Sequence, residues 1–595
     1  IYSVILCESA TDPRNRSCNV SMFSKKYSTA ILIAGSFAMV GCTTGFYRKK
    51  ADKDVYEILQ KVEEDIFGTS SEFSIDTKHS GKKPNDVAAQ DILDARSTNK
   101  TLVLPIDKAL DYAVTHSREF QSEKESLYLT ALNLTGEKHN FFPQFFANSR
   151  GTRSRLIDGE QRGTVNSDIG VSQALLTGAN IGVAIANDLL RYYTGDPRES
   201  AASVISLDIM QPLLRGAGRK IAGERLKQSH RNVFYGVRDF AHFQNTFSVD
   251  ILMEYFRLLQ VKDVIFNRYN NYLSIKASTD YLRARAVDRA KPEEVADSEQ
   301  RELQAKDSYL NSITSFRNAL DRFKIALGLP QTVDLRLDDS EMVKLRDAGL
   351  VELSLNKSDG FRIALKHRLP LLNEVDRYED SKRQVAIAAD QLKADLNIFA
   401  DTTVENDEGP TEYEKFNFNN VRANVGVQLN LPLDRLRERN QYRSTLISFE
   451  SAIRRLGLNF DEVRNQIDRD IRQLEQLRKS YQIQKNAVTL AENSVEGNEL
   501  RLKAGTITFQ SLSDSQDDLI DAQNAVTGAL VDYLEARLGL LTNLGILATD
   551  EETFWLRGDA VKVDLSKWRS APTVTEAPTE TSRNQVPTPE EVFAD

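Results

Sequence analysis

The sequence predicts an α+β protein made of two copies of one unit, in which long helices alternate with short β-strands. Two observations carry this prediction: landmark residues recur at a nearly constant spacing, and the hydrophobic period changes within each copy from about 3.6 residues to about 2. Pro212 recurs at Pro432, an offset of 220 residues, and Asp297 recurs at Asp514, an offset of 217. A third pair of landmarks shares the offset of 217: residues 327–329 and 544–546. Because the matches keep their order, they favour internal duplication over chance.

The offset between the copies is larger near their beginnings. The segment YAVTHSREF at residues 112–120 resembles IALKHRLPL at residues 363–371, an offset of 251. The difference between the two offsets predicts an insertion of roughly thirty residues in the first copy, between Pro143 and Pro212. We therefore divide the body of the chain into three parts: a first repeat at 104–330, a connector at 331–360 and a second repeat at 361–547.

Each copy begins with a predicted helix of about 30 residues, at positions 106–142 and 360–394. An arm of about 70 helical residues follows the strands, and it would span about 100 Å at ~1.5 Å per residue. In the second copy this arm covers residues 437–504, without proline and with leucine or isoleucine recurring every three or four positions. Such a stripe packs against a partner helix while charged residues face water. The alternative is a plain coiled coil, but a coiled coil would not contain the predicted β-strands described next.

Four segments alternate apolar and polar side chains with the period of a β-strand. In residues 421–431 one face carries valine, alanine and leucine, while the other carries arginine, asparagine and glutamine. This segment has the length of a tilted transmembrane strand, and apolar-out with polar-in is typical of outer-membrane barrels. The other predicted strands are residues 205–209, residues 396–402, and one strand within 143–188 that contains Ile181, Val183 and Ile185. A half-buried sheet in a soluble protein gives the same alternation. The export signal described below favours membrane strands over that alternative.

Four strands per chain cannot form a membrane barrel alone, because an open sheet edge in lipid leaves backbone groups without hydrogen bonds. The chain is therefore expected to oligomerise. Two copies would supply eight strands, whose side chains fill the interior, whereas three copies would supply twelve strands and leave a lumen. A transport protein needs an open lumen, so a transport function favours the trimer over the dimer.

The export signal begins at Met22. Lys25 and Lys26 precede an apolar run that ends in Val40-Gly41-Cys42, which is the order of a bacterial signal peptide. The cysteine after small residues resembles the lipobox of bacterial lipoproteins, which implies that Cys42 is lipidated and begins the mature chain. The alternative is an ordinary signal peptide. The terminal segments are interpreted as an upstream extension (1–21), the signal (22–41), a periplasmic segment with a helix at 47–67 (42–103), and an equatorial segment ending in a disordered tail (548–595).

Composition excludes several other functions. The chain has no apolar run of about 18 residues, so a polytopic helical membrane protein is excluded. Its net charge of -9, from 77 basic and 86 acidic side chains, argues against nucleic acid as a partner. All three cysteines lie within the first 42 residues, and the six histidines have no metal-binding spacing. We therefore expect no cofactor, no metal site and no catalytic residues.

Together with the duplication, four motifs make the chain resemble the outer membrane efflux protein family, the TolC-like outer-membrane factors, in its lipoprotein branch. They are QPLLRGAGR at 211–219, LPLDRLRER at 431–439, RLKAGTITFQSLSDSQ at 501–516 and LLTNLGIL at 540–547. The resemblance covers residues 104–547. It implies a homotrimer whose twelve-stranded β-barrel lies in outer membrane lipids and is continued by a long α-helical barrel in the periplasm. Pro212 and Pro432 match the family's strand-to-helix turn, where proline suits the change from ladder to helix.

The resemblance places the contact with partner proteins at the hairpin tips. Gly505 and Thr506 match the turn at the periplasmic end of the family's tunnel, and Ile507 and Phe509 follow directly. These four residues are therefore expected to lie at the tip where a periplasmic adaptor (membrane fusion) protein docks.

The resemblance also identifies acidic residues of a pore gate. Asp514 matches an aspartate that faces the pore near its constriction, and Asp297 holds the equivalent position in the first repeat. Glu294 matches the acidic member of the closed-state lock, but its usual partners align with Leu502 and Ile507, so the lock must differ here. The alternative for Asp514 is an ordinary solvated helix face.

The implied function is a passive exit duct of a tripartite efflux or type I secretion system. Because the chain carries no nucleotide-binding or proton-relay motif, the energy is expected to come from an inner-membrane pump that acts through the adaptor. The alternative from another class is a non-conducting periplasmic coiled-coil scaffold. The sequence does not distinguish among a drug, a metal ion and a protein as the transported substrate.

Overall fold

The computed structural model divides into two units, one ending at Phe73 and the other beginning at Ser74. The described residues are 44–97, 99–157, 159–193, 199–285, 292–353, 355–406, 416–549 and 553–557. The expected upstream extension, signal peptide and lipidated Cys42, and the tail at 570–595, lie outside the described residues.

In the first unit, helix α1 spans Thr44–Phe67, where the sequence predicts a helix from residue 47 onward. Three apolar residues along one stripe of this helix are buried: Val55, Leu59 and Val62. The Glu63 carboxylate accepts a 2.9 Å hydrogen bond from the backbone N–H of Ser71. This bond holds the chain after α1 back against the last turns of the helix.

The second unit combines helices of very different lengths. The helices are α2 (Ala89–Arg96), α3 (Ile106–His116), α4 (Arg118–His139), α5 (Arg219–Ala222), α6 (Glu224–Arg285), α7 (Pro292–Ala326), α8 (Ser340–Ala348), α9 (Lys357–His367), α10 (Leu369–Asp390), α11 (Leu436–Ala504) and α12 (Phe509–Leu544). The 69 residues of α11 match the predicted arm to within one residue at its start. Among the described helices, none has an apolar stretch long enough to cross a lipid bilayer.

The strands form two separate sheets. They are β1 (Thr101–Leu104), β2 (Gln144–Arg155), β3 (Gln161–Ala174), β4 (Asn180–Tyr192), β5 (Glu199–Pro212), β6 (Asp334–Leu337), β7 (Asp395–Asn406) and β8 (Phe416–Asn430). Strands β1 and β6 form a parallel pair. The other six form one antiparallel sheet in the order β2-β3-β4-β5-β7-β8.

The expectation of four strands per chain is wrong, because the large sheet has six strands. The expected total of twelve in a trimer is calculated from four per chain and no longer follows. The region 143–188, in which we predict one strand, contains β2, β3 and most of β4. The period-2 signal is weak in β2 because Ser149, Gly151 and Arg153 interrupt its apolar face. A short alternation is a poor guide to strand number when polar side chains enter the apolar row.

The predicted helices at 106–142 and 360–394 are each broken once. Ser117 separates α3 from α4 with φ −64° and ψ 135°, and Arg368 separates α9 from α10 with φ −72° and ψ 102°. In the second copy Pro370 follows the break and cannot donate a helical hydrogen bond. Hydrophobic periodicity alone does not register such a break, because the apolar stripe continues across it.

The element bounds repeat with the offsets seen in the sequence. The offset of 251 relates α3 to α9, α4 to α10 and β2 to β7 at both ends of each element. The contacts repeat as well: an added Cβ at Gly328 would lie 2.2 Å from the His116 carbonyl oxygen, and one at Gly545 would lie 2.2 Å from the His367 carbonyl oxygen. Both glycines have φ of 75°, so each ends its helix in a left-handed conformation.

The six-stranded sheet has an apolar face and a polar face. Cross-strand neighbours on the apolar face include Ile169, Ile185 and Ile205 in one row. Much of this face is exposed, since Val425 keeps 80% and Val427 66% of its surface. The opposite face is hydrogen-bonded through polar side chains, as in the pairs Asn148–Asp168 and Asn424–Asp401, both 2.8 Å.

A buried ionic network joins α6 to α10. The Asp380 carboxylate accepts hydrogen bonds from the Tyr235 hydroxyl at 2.8 Å and from the Gln228 amide at 2.9 Å. Arg231 and Arg383 approach the same carboxylate to 2.6 and 2.8 Å. Burial alone would raise the pKa of Asp380, but these hydrogen bonds and the Arg231 charge hold that pKa below its usual range.

Candidate functional site at the helical tips

Helices α11 and α12 meet at a tight turn. Gly505 ends α11 with φ of 76°, a left-handed conformation that glycine adopts without steric cost. The N–H groups of Gly505 and Thr506 donate to the carbonyl oxygens of Leu502 and Arg501, both at 3.0 Å. Thr508 then caps α12 through its hydroxyl oxygen. Gly505 and Thr506 therefore lie in the turn that connects α11 to α12.

Apolar side chains at this turn pack inside the chain. The cluster consists of Ile275, Leu282, Ala305, Leu502, Phe509 and Leu512, with Tyr272, Val495 and Ile507 packed against it. It joins α6, α7, α11 and α12. Because the Phe509 ring is 3% exposed, this ring holds the tip together and does not offer a surface to a partner in this conformation. Ile507 lies half-buried at the edge of the cluster.

Arg301 of α7 connects the two helical hairpins of the chain. Its guanidinium lies 3.2 Å from the Asp514 carboxylate and 3.9 Å from that of Asp517. It also donates a 3.1 Å hydrogen bond to the Ser513 hydroxyl. Asp514 therefore belongs to an ion-pair network, with its side chain 58% exposed.

The two acidic partners of Arg301 differ in electrostatics. Burial raises the pKa of Asp517, although the Arg301 charge and a hydrogen bond from Asn271 act against this shift. The Asn271 amide is 3.5 Å from the Asp517 carboxylate. Asp517 consequently takes up a proton at higher pH than an ordinary aspartate.

The first repeat does not reproduce this network. Asp297, the equivalent of Asp514, is exposed and forms no ion pair with any side chain in the described ranges. Glu294 is half-buried near the start of α7. The offset of 217 places Asp518 at the position equivalent to Arg301, so a cation in one repeat is replaced by an anion in the other. The structure thus brings Asp514 to Arg301 but does not bring Glu294 or Asp297 to it.

A second ionic contact closes the α6–α7 tip. Arg283 lies 2.7 Å from Asp280 on its own helix and 2.8 Å from Glu299 on α7. Neither Arg283 nor Arg301 stands out in the sequence. No spacing pattern could identify Arg301, because Asp514 is more than 200 positions away and belongs to the other repeat.

The two prolines lie at the ends of their strands. Pro212 is the last residue of β5, and Pro432 follows the end of β8 at Asn430. Beyond Pro212, the Leu213 N–H donates to the Leu396 carbonyl oxygen at 2.7 Å and the Arg215 N–H donates to the Ala394 carbonyl oxygen at 3.3 Å, so backbone pairing continues by two further bonds. In the described part of the chain no group of histidine, cysteine or carboxylate side chains is arranged to hold a metal ion.

The elements and their order define a class: the chain has the fold of the outer-membrane channels. Solved structures with this fold include the Campylobacter jejuni CmeC outer membrane channel, with a TM-score of 0.54 and 12% identity, covering 74% of this chain and 85% of that one. The outer membrane protein VceC from Vibrio cholerae has a TM-score of 0.54 and 14% identity, covering 74% of this chain and 96% of that one. The open state of the Neisseria gonorrhoeae MtrE outer membrane channel has the same TM-score and identity, covering 74% and 88%.

These similarities confirm, for the fold, the expected resemblance to the outer membrane efflux protein family. No family model matches the sequence, and no curated protein matches it either. The identities of 12–14% mean that the similarity is one of architecture.

Proposed function

We propose that the chain forms an outer-membrane channel-tunnel, a passive exit duct of a tripartite efflux or type I secretion system. The single observation that carries this proposal is the exposed apolar face of the six-stranded sheet. An apolar surface that extends over all six strands is costly in water and stable in lipid. The polar opposite face suits a water-filled lumen, which is the arrangement of outer-membrane barrels.

Aromatic residues support this placement of the sheet. Phe145, with 83% of its surface exposed, lies near one end of the apolar face, and Tyr193 lies near the other. The guanidinium groups of Arg153 and Arg191 lie 5.3 and 5.8 Å from the Tyr193 ring centre. Aromatic girdles mark both interfaces of outer-membrane barrels, and arginine over an aromatic ring suits the headgroup region.

The helices supply the periplasmic part of the proposed duct. The 62 residues of α6 and the 69 of α11 extend for about 93 and about 104 Å at ~1.5 Å per residue. The tips therefore lie far from the sheet along these helices, where a periplasmic adaptor could reach them. We propose that the adaptor docks on the exposed atoms around Thr506 and the half-buried Ile507, and that an inner-membrane pump supplies the energy.

A lipid on Cys42 would add a second attachment to the membrane. One acyl chain anchors weakly, so the strands would carry most of the attachment. Mass spectrometry of the mature amino terminus should find an acylated Cys42, and Cys42→Ser should impair processing while leaving a barrel-forming trimer. An unmodified terminus elsewhere would reject the lipoprotein assignment.

Two matched substitutions on β8 test the membrane face. Val425 lies on the apolar face, and its neighbour Asn424 lies on the polar face of the same strand. Val425→Arg should cost about 2–4 kcal/mol in a bilayer and reduce the amount of heat-modifiable trimer in outer membranes. Asn424→Arg should leave assembly unchanged, because its side chain would face the lumen, where it lies opposite the Asp401 carboxylate. Equal effects of the two substitutions would reject the proposed orientation.

Purified protein in planar bilayers then tests conduction. A trimer that resists salt washing, needs detergent for extraction and conducts ions supports the duct. Release by salt washing without conduction would instead support the non-conducting periplasmic scaffold.

A further inference from the structure

We propose that neighbouring copies join through the outer edge of β8 on one copy and the outer edge of β2 on the next, closing a barrel with six strands from each of three copies, eighteen in all. This inference rests on the proposed outer-membrane function and takes the number of copies from the trimer that the family resemblance implies, because at six strands per copy two copies would already supply twelve strands. It assigns an interface between copies and a lumen wider than twelve strands would enclose.

The two additional strands form an inserted hairpin. Strand β2 corresponds to β7 at the offset of 251, and β5 leads to Pro212 as β8 leads to Pro432. Strands β3 and β4, between residues 161 and 192, have no counterpart in the second repeat. Their length accounts for the roughly thirty inserted residues that the offsets indicate.

The hairpin is part of the sheet and not an appendage to it. Strand β3 pairs with β2, and β4 pairs with β5, over nearly their full lengths. The turn between β3 and β4 is fitted to the loop after Pro212: an added Cβ at Gly178 would lie 2.6 Å from the Gly216 carbonyl oxygen. The Gly218 N–H donates to the Thr177 carbonyl oxygen at 2.9 Å. These contacts hold the β3–β4 hairpin within the six-stranded sheet.

The ends of the sheet are complementary in direction. Every neighbouring pair among the six strands is antiparallel, so β2 and β8 run in opposite directions. The β8 edge of one copy can therefore pair antiparallel with the β2 edge of the next. An inserted hairpin preserves this relationship, whereas a single inserted strand would make the junction parallel. In lipid both edges must pair, because unpaired backbone groups cost several kcal/mol each.

The register of this junction follows from the junction between the repeats. Within the chain β5 pairs with β7 so that Pro212 lies opposite Asn397. The offsets of 220 and 251 transfer this register to the edges, placing Pro432 opposite Phe146 and Gln428 opposite Arg150 of the next copy. The same register puts the apolar sides of β8 and β2 on one face, so the apolar surface continues from copy to copy.

The consequence is a wider passage through the membrane. Barrel diameter grows roughly in proportion to strand number, so eighteen strands enclose a diameter about 1.5 times that of twelve strands. The cross-section is then about 2.3 times larger. The barrel would admit correspondingly bulkier molecules.

Cysteine pairs test the junction. The double variant Gln428→Cys with Arg150→Cys should form disulfide-linked dimers and trimers in oxidised membranes, while each single variant should not. The matched control is Gln428→Cys with Gln144→Cys, which places the second thiol about 20 Å farther along β2. Cross-linking of the control but not of the test pair, or of neither, would overturn the proposed register and edge.

Deletion of residues 161–192 tests the strand count. In bilayers, neutral polymers added on the extracellular side should enter the wild-type barrel up to a radius about 1.5 times the limit for the deletion variant. Equal limits, or an imaged wild-type trimer with twelve wall strands, would overturn this inference while leaving the duct intact. Absence of any membrane-inserted, conducting wild-type trimer would overturn the proposed function itself.

Discussion

Arg301 of α7 and Asp514 of α12 form a 3.2 Å ion pair between the two helical hairpins of one chain. The Arg301 side chain is 25% exposed, whereas the Asp514 side chain is 58% exposed. The arginine is therefore the more firmly held partner, and the aspartate can leave it for solvent or for a cation. This relationship makes the pair a candidate for the contact that holds the tip in its present conformation.

Arg301→Gln should loosen the tip and raise the open probability of the proposed channel in bilayer recordings. The effect on stability should be small, below about 1 kcal/mol, because ion pairs with an exposed partner contribute little. Arg283→Gln is the control, since it breaks a neighbouring ion pair within the α6–α7 hairpin. If both variants open the channel equally, general loosening of the tips explains the effect and Arg301 has no special role.

Asp514→Asn should weaken cation preference and sensitivity to block by trivalent cations. The substitution keeps the side-chain volume and would remove three formal charges from the proposed trimer, whose stability should change little. Asp297→Asn is the control at the equivalent position of the first repeat. Altered selectivity in Asp297→Asn alone would move the filter to the first hairpin. If neither variant changes selectivity, the constriction is not acidic.

Asp380→Asn should destabilise the protein by about 2–4 kcal/mol at neutral pH, because it leaves the cationic and hydroxyl partners of a buried carboxylate unpaired. The folded-state pKa of Asp380 is lowered, so its stabilisation is present above the unfolded pKa of about 3.9 and is lost as pH falls through the folded pKa. The dissociation temperature of the proposed trimer should therefore differ most between variant and wild type at pH 7, and the difference should begin to shrink only when the pH falls below the unfolded pKa of about 3.9. Asp461→Asn, on the exposed side of α11, is the control. It should change neither the stability at neutral pH nor the pH dependence of the dissociation temperature.

Gly545→Ala should strongly destabilise the fold. A left-handed φ costs a non-glycine residue about 1–2 kcal/mol, and overlap of its Cβ with the His367 carbonyl oxygen adds to this cost. Gly457→Ala in α11 is the control: its Cβ would meet no atom within 4 Å, and alanine should stabilise the helix by about 1 kcal/mol. Thermal dissociation and protease resistance measure both effects. Unchanged resistance in Gly545→Ala would contradict the close packing at this helix end.

The two repeats and the long arms could be predicted from the sequence because their signals are local or periodic. Pro212 and Pro432 are visible in the chain, and the stripe of α11 recurs at helical spacing over 69 residues. The glycine turn at Gly505 is likewise local, since a left-handed helix end favours glycine. The breaks at Ser117 and Arg368 cannot be predicted in this way, because hydrophobic periodicity continues across them.

The contacts at the tips, in contrast, could not be predicted from the sequence. Asp514 is recognisable from its motif, but its partner Arg301 lies in the other repeat, and no spacing in the chain relates the two. Phe509 looks like a tip residue in the sequence, yet its ring is buried in a cluster drawn from four helices. Burial of this kind depends on how distant helices pack.

The sequence by itself determined the duplication, the order of helices and strands, and the position of an insertion of roughly thirty residues. Only the tertiary structure decided that this insertion is a complete hairpin, β3–β4, within a six-stranded sheet. The physical reason is that a strand is defined by hydrogen bonds to its neighbours. Polar residues such as Ser149 and Ser167 weaken the local alternation, but their strands still pair, and the two hydroxyls bond to each other at 2.8 Å.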